Sequence, residues 1–312
     1  METMRGIYFD GEKAVYREDL PKPVLGPTES LVRIHLAGVC NTDKEILKGY
    51  RPAFRGVMGH EFVGHVVESS DPDWAGKRVV GELNAGCGHC VYCRTGREKH
   101  CDDRRVLGME RKDGCFAEYM TIETHLLHAV PDTLPDERAV FTEPFAAALE
   151  IPEQVHIKPS LEAAVIGDGR LSYMVAQVLA LCGCGVTVFG HHAEKLKAFA
   201  PFAKTALAPA GTFELVVECS GAPGGLADAM ALVRHKGTVV LKSTYAGQTQ
   251  VDMSAFAVHE VTLVGSRCGP FEAALRLLSR GLVDLEPIEL HDLKDFSAAF
   301  TSPAFKSGFD LR

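Results

Sequence analysis

The 312-residue chain carries 33 Lys and Arg against 41 Asp and Glu, a formal net charge of -8, with 46% hydrophobic and 24% charged residues. Those proportions describe an ordinary soluble globular protein of more than one domain, and the acidic balance, offset by no basic stripe, opposes a phosphate backbone as partner. No run of eighteen apolar residues and no basic-then-apolar leader is present, so neither a membrane span nor a secretory signal is expected, and the ten cysteines are expected in the cytoplasm as reduced thiols or metal ligands rather than disulfides.

Residues 24–70 read as β-rich, because "SLVRIHLAGVC" and "EFVGHVVES" combine β-branched residues with partial alternation. Near residue 145 the texture changes to the Ala/Leu content of a helix in "EPFAAALEIPEQVHI", with Pro144 suited to its first turn. Strand-like "AAVIG" then leads to helical "LSYMVAQVLALCG", "GVTVF" to "AEKLKAFAP", and "FELVVE" to "GGLADAMALVR". "GTVVLK" follows, and "VTLVG" leads to "FEAALRLLSRG". Strands alternating with helices predict βαβ units and a doubly wound parallel sheet, an α/β class. The last thirty residues fall outside that rhythm and are expected to return to the first domain.

"CGHCVYCRTGREKHC" places Cys87, Cys90, Cys93 and Cys101 at C-x2-C-x2-C-x7-C. Thiolates so spaced suit tetrahedral zinc at ~2.3 Å, and four of them leave no open position for chemistry. A redox Cys-x-x-Cys pair opens a helix, whereas Gly86, Gly88 and Gly96 make this stretch a loop. Iron–sulfur clusters use other spacings. The expectation is a structural zinc holding a lobe at about residues 84–105.

"VIGDGRLS" follows the first of the later strands and opens a helix. Gly167 and Gly169 permit a tight turn and close approach of a pyrophosphate, with Arg170 and Leu171 at the helix start and a small Ser172 at the third fingerprint position. The acid expected at the end of the second strand is absent: Gly190 stands there, followed by His191, His192 and Lys195. Loss of that carboxylate, with three candidate donors nearby, favours NADP over NAD.

With "GVCNTD", "GHEFVGHV", "GCFAEYM", "FTEPFAAALE" and "VVECSG", these motifs run in an order that resembles the zinc-dependent medium-chain alcohol dehydrogenases, with most similarity to the sorbitol and threonine dehydrogenase branch. The resemblance implies a GroES-like β-rich catalytic domain (1–144 and 282–312) and a Rossmann domain (145–281), a likeness covering nearly the whole chain. It implies two zincs per chain, a nicotinamide dinucleotide touched also by Ser243, a small alcohol or carbonyl substrate, and a homodimer or homotetramer. It makes Cys40, His60 and Glu143 ligands of a catalytic zinc, with Glu61 able to approach the metal. Asp43 would orient the ligating histidine. Thr42 would bond the substrate oxygen and begin the proton relay. A zinc with three protein ligands keeps its fourth position for the substrate oxygen.

Three departures accompany the resemblance. Glu45 occupies the place of a histidine at the end of the relay, the second-strand acid is missing, and the end at "KSGFDLR" predicts a trimmed last strand. Tyr50, Phe54 and Arg55 fall where the family lines its substrate cleft, or in an ordinary loop. Cys115, Cys182, Cys184, Cys219 and Cys268 lack ligand spacing and read as small apolar residues. His65, His125 and His128 have no supporting constellation. Two rivals are a zinc-free reductase of the enoyl or quinone type, which lacks the Cys40, His60, Glu143 set, and a non-enzymatic zinc ribbon, which the acidic balance opposes.

Overall fold

A computed structural model describes residues 2–244 and 248–312, and the chain divides into two compact units, Met1–Glu143 with Phe271–Arg312 and Pro144–Pro270.

The first unit is built on a seven-stranded sheet whose central strand is Glu29–Gly38. Glu61–Ser69 pairs antiparallel on one side of it; Tyr119–Glu123 and Lys306–Asp310 pair antiparallel along other parts of its length. The alternation read in "LVRIHLA" serves this arrangement: Val32, Ile34 and Leu36 are fully buried, while Arg33 is exposed. Phe116 and Phe309 fill the core below, their rings edge to face at 5.0 Å. A three-stranded sheet around Thr3–Phe9 and a second small sheet that includes Asn84–Ala85 and Arg105–Leu107 complete the unit.

The second unit carries a six-stranded parallel sheet in the order Lys204–Ala206, Gly185–Phe189, Glu162–Ile166, Phe213–Glu218, Val233–Leu241, Thr262–Gly265. This is the doubly wound order, with the chain reversing direction across the sheet beside Glu162–Ile166. The apolar runs "AAVI" and "LVV" suit strands covered on both faces. Val165, Val188, Val216, Val217, Val239 and Val240 have no exposure, and burial of each stabilises by roughly 1.5–3 kcal/mol. Helix Arg170–Leu181 follows the first strand and packs Met174, Val175, Ala176 and Leu179 into that core.

The fold departs from the sequence reading in four places. The second unit boundary falls at 270/271 rather than 281/282, because helix Phe271–Ser279 belongs to the first unit. There Phe271 stacks on His128 with centroids 5.2 Å apart, and Arg138 donates to the Val283 carbonyl at 2.8 Å. The last strand is formed, not trimmed: Lys306–Asp310 pairs antiparallel with Glu29–Gly38 and parallel with Ile288–His291. "AEKLKAFAP" gives only a short helix, Ala193–Leu196, before a 3-10 turn, and helix Met253–His259 has no counterpart in the reading.

Candidate active site and zinc lobe

Cys87, Cys90, Cys93 and Cys101 converge so that their sulfurs all lie within 4.8 Å of one another. Cys87 and Cys93 sulfurs are 4.0 Å apart and Cys90 and Cys93 sulfurs 3.5 Å. Tetrahedral zinc–thiolate bonds would space them by about 3.8 Å, close to these two separations, so the donor set suits that ion. The stretch is not the plain loop expected: Cys90 caps a one-turn helix, Val91–Arg94, and the backbone here supplies the polarity that thiolates need. The backbone N–H of Cys87 donates to Cys101 Sγ at 3.4 Å, that of Cys90 to Cys87 Sγ at 3.4 Å, and that of Cys93 to Cys90 Sγ at 3.5 Å. The N–H groups of His89 and Cys90 pull the Cys87 thiol down to about 6. Glu98 closes the lobe: it accepts from the Gly86 N–H at 2.5 Å and pairs with His125 at 3.0 Å. His125, for which the sequence offered no role, thus holds the carboxylate that braces this loop.

A second group, within the first unit, brings together Cys40, His60 and Glu61, one potential ligand atom from each lying within 4.8 Å of the others. These two are the groups of this kind among the described residues. Cys40 sits at the N-cap of helix Asn41–Leu47, and Glu61 opens the strand next to it in the sheet, paired with Gly38. His60 precedes that strand and is buried. Asp43 fixes both neighbours: Oδ2 accepts from the Cys40 N–H at 2.8 Å, and Oδ1 lies 3.5 Å from His60 Nδ1. With Nδ1 turned to Asp43, Nε2 is the ring atom left for a metal. Burial opposes a charge on His60, yet Asp43 outweighs it and raises the imidazole well above its usual range. Thiol and carboxylates crowded about one imidazole form a donor set that fits a divalent cation.

Thr42 lies beside this group, its hydroxyl accepting from the Cys40 thiol at 3.8 Å. Glu45 is buried, and its carboxylate pairs with Lys48 at 2.8 Å, so the relay-end position ends in a surface ammonium. Glu143 stands in the first turn of helix Thr142–Gln154 and is not part of the convergent group; Glu61 is. Phe54 is buried and stacks on Phe9 at 6.2 Å, and Arg55 donates to the carbonyls of Pro52 and Phe54. Tyr50 carries the Arg51 guanidinium on its ring at 5.0 Å.

Sequence reasoning missed Lys306. It begins the last strand, is fully buried, and forms an ion pair with Glu61. Its ammonium also lies 3.4 Å from the Val39 carbonyl and 5.9 Å from the centre of the Phe141 ring. Burial pushes its pKa down to about 8, against the pull of Cys40 and Asp43. A lone Lys in "AFKSGF" carries no local signal of this; only the pairing of the strands brings it to Glu61.

In the second unit the glycine turn stands between the first strand and helix Arg170–Leu181. Gly167 has φ +116° and donates to the Phe189 carbonyl at 2.7 Å, while Gly169 caps the helix with open space where a Cβ would be. Arg170 and Leu171 open the helix, and Ser172 is buried behind the turn. The open start of this twelve-residue helix could hold a pyrophosphate. Gly190, His191, His192 and Lys195 follow the second strand, where the His191 and His192 N–H groups are taken up by Asp168. Ser243 follows the fifth strand and accepts from the Gly221 N–H at 2.7 Å. Cys219, next to the turn, is driven upward by burial and is inert as a thiolate.

Residues 26–132 match the alcohol dehydrogenase GroES-like domain. Sorbitol dehydrogenase of Halalkalibacterium halodurans is 27% identical, covering 93% of this chain and 92% of its own. L-Threonine 3-dehydrogenase of Shewanella baltica is 26% identical over 93% of each. Residues 26–132 carry that GroES-like domain, and the chain is similar along nearly its whole length to zinc-type alcohol and polyol dehydrogenases. The likeness extends to both sorbitol and threonine dehydrogenases, and the chain is an oxidoreductase. A provisionally named zinc-binding dehydrogenase of Sinorhizobium meliloti, solved bound to NADP, superposes with a TM-score of 0.89 at 25% identity, covering 99% of this chain and 100% of that one. The two units accordingly have GroES-like and Rossmann folds. No helix of the described residues is long and apolar enough to cross a membrane.

Proposed function

We propose that this dehydrogenase moves a hydride between the carbinol carbon of a small alcohol, polyols and amino alcohols included, and a nicotinamide dinucleotide, with zinc on the substrate oxygen. The reading is carried by the convergence of Cys40, His60 and Glu61 beside a threonine hydroxyl. The dehydrogenase relatives and the NADP complex of the Sinorhizobium protein support it. When bound, zinc would lower the pKa of an alcohol and the nicotinamide would take up the hydride.

The chain's own residues set up that chemistry. Cys40, His60 and Glu61 would hold the metal, with Glu143 the alternative carboxylate that the family resemblance names. Asp43 keeps His60 in the orientation that points Nε2 away from it. Thr42 would take the substrate hydroxyl proton and pass it toward Glu45. Lys306 balances the charge of Glu61 and restrains its carboxylate. The four-cysteine lobe would hold a second zinc that does no chemistry.

The glycine turn would seat the pyrophosphate. A second copy would pair through the edge strand Thr262–Gly265, whose Leu263 is 43% exposed beside a helix with exposed Met253 and Val258. Sedimentation of the purified protein tests that pairing.

The test of the activity is metal content with turnover. About two zincs per chain, chelator-sensitive oxidation of an alcohol panel, and loss of one zinc with all turnover in Cys40→Ala are the expected results. Turnover that survives chelation and Cys40→Ala would instead favour a zinc-free reductase.

A further inference from the structure

In a doubly wound dinucleotide-binding sheet, the acid that holds the adenosine ribose stands at the end of the second strand, and its charge rejects a 2′-phosphate. Gly190 occupies that position here. A Cβ built on it would lie 2.5 Å from Asp168 Cβ and 2.6 Å from Asp168 Oδ2. Asp168, from the middle of the glycine turn, therefore fills the volume that a side chain at 190 would take, and it delivers a carboxylate there.

The same carboxylate has already gathered the donors of the following loop. Asp168 Oδ2 accepts from the N–H of His191 at 2.7 Å and from that of His192 at 2.8 Å, and His192 Nδ1 lies 3.0 Å from it. A 2′-phosphate needs just such donors, and here they are spent on an internal anion. Burial alone would raise the Asp168 carboxyl, but the bonds from His192 and His191 outweigh it and keep it below its usual range. Oδ1, whose contact with the His192 ring is the longer one at 3.2 Å, retains acceptor capacity for a ribose hydroxyl.

We infer that Asp168 is the cofactor-specificity residue of this chain, an acid supplied by the glycine turn instead of the second strand, and that the chain selects NAD(H) over NADP(H). The inference rests on the dinucleotide-binding reading above and reverses the preference suggested by Gly190 alone. Gly190 and Asp168 form one device: a side chain at 190 would displace the carboxylate, and the bare glycine admits it.

Binding, measured without turnover, tests this. NADH and NADPH are titrated by calorimetry and by nicotinamide fluorescence, and the fragments 5′-AMP and 2′,5′-ADP by calorimetry. Wild type should bind NADH tighter than NADPH by about tenfold or more, with the fragments in the same order. Asp168→Asn keeps an acceptor for the two N–H groups while removing the charge, and should bring the two cofactors within about threefold by tightening NADPH. Asp168→Gly combined with Gly190→Asp moves the acid to the strand and should restore the NADH preference. NADPH binding as tight as NADH in wild type would overturn the inference without any variant. So would a ratio that Asp168→Asn leaves unchanged. Binding of neither cofactor nor fragment would overturn the dinucleotide reading as well.

Discussion

Lys306 and Glu61 form an ion pair in which neither side chain has any exposure to solvent. Two buried charges of opposite sign stabilise only as a pair; removing one strands the other in a medium that cannot solvate it. Gly38 makes room, because a Cβ there would fall on the Lys306 side chain and 2.8 Å from Glu61 Oε2. Lys306→Met should therefore cost about 3–5 kcal/mol in urea unfolding, and adding Glu61→Gln should recover a large part of that loss. Equal destabilisation by the single and double variants would mean that the pairing is not what Lys306 contributes.

The cysteine lobe predicts a structural metal separable from the chemistry. Cys93→Ser should lower zinc content by about one per chain and lower the unfolding temperature, because binding energy at such a site is folding energy. Cys40→Ala should also lose about one zinc while leaving the lobe intact. Metal analysis of the two variants and of their combination should therefore give additive losses.

The Thr42 hydroxyl accepts from the thiol of Cys40 in the candidate metal group. Thr42→Val preserves shape and removes the proton-transfer group, so kcat should fall by about 10²-fold or more with zinc content unchanged. Loss of zinc in parallel would assign Thr42 to the metal site's structure rather than to proton transfer.

Acid should act through Asp136. Its side chain is 11% exposed, 2.8 Å from His35 Nδ1 and 3.2 Å from Arg78. Burial raises its pKa, but His35 and Arg78 outweigh that and hold it below the usual value. A depressed carboxyl means that the unfolded chain takes up the proton first as pH falls. The stabilisation is then complete above about pH 4 and is lost as pH drops through the lower folded value. Asp136→Asn should cost about 1–3 kcal/mol at pH 7, and unfolding series from pH 7 to pH 3 should show the gap to wild type closing below about pH 4.

What was legible in the sequence was what lies close along the chain. The four cysteines fall within fifteen positions, so their spacing already implied a tetrahedral thiolate site, and the strands drew their sulfurs together with little else required. The alternation of apolar strands and helices from residue 162 onward implied a parallel sheet, because a buried parallel strand needs continuous apolar sequence. The glycine turn announced itself through two residues that tolerate its conformation.

Tertiary structure decided the rest. Lys306 lies 245 residues beyond Glu61, and a lysine near a terminus reads as solvated until the last strand pairs with Glu29–Gly38 and shuts water out. Glu61 and Glu143 are both carboxylates in family-like motifs, and it is the strand pairing of Glu61 with Gly38 that brings Glu61 to Cys40 and His60. Gly190 lacks the acid that the strand-end pattern requires. Parallel strands side by side bring the ends of two different segments together, and the carboxylate arrived from the other one. Composition, period and spacing along a chain determine which elements form and which local donor sets close. Which charge neutralises which, across elements far apart in sequence, is settled by burial, since a buried charge must take the partner that the fold puts within reach.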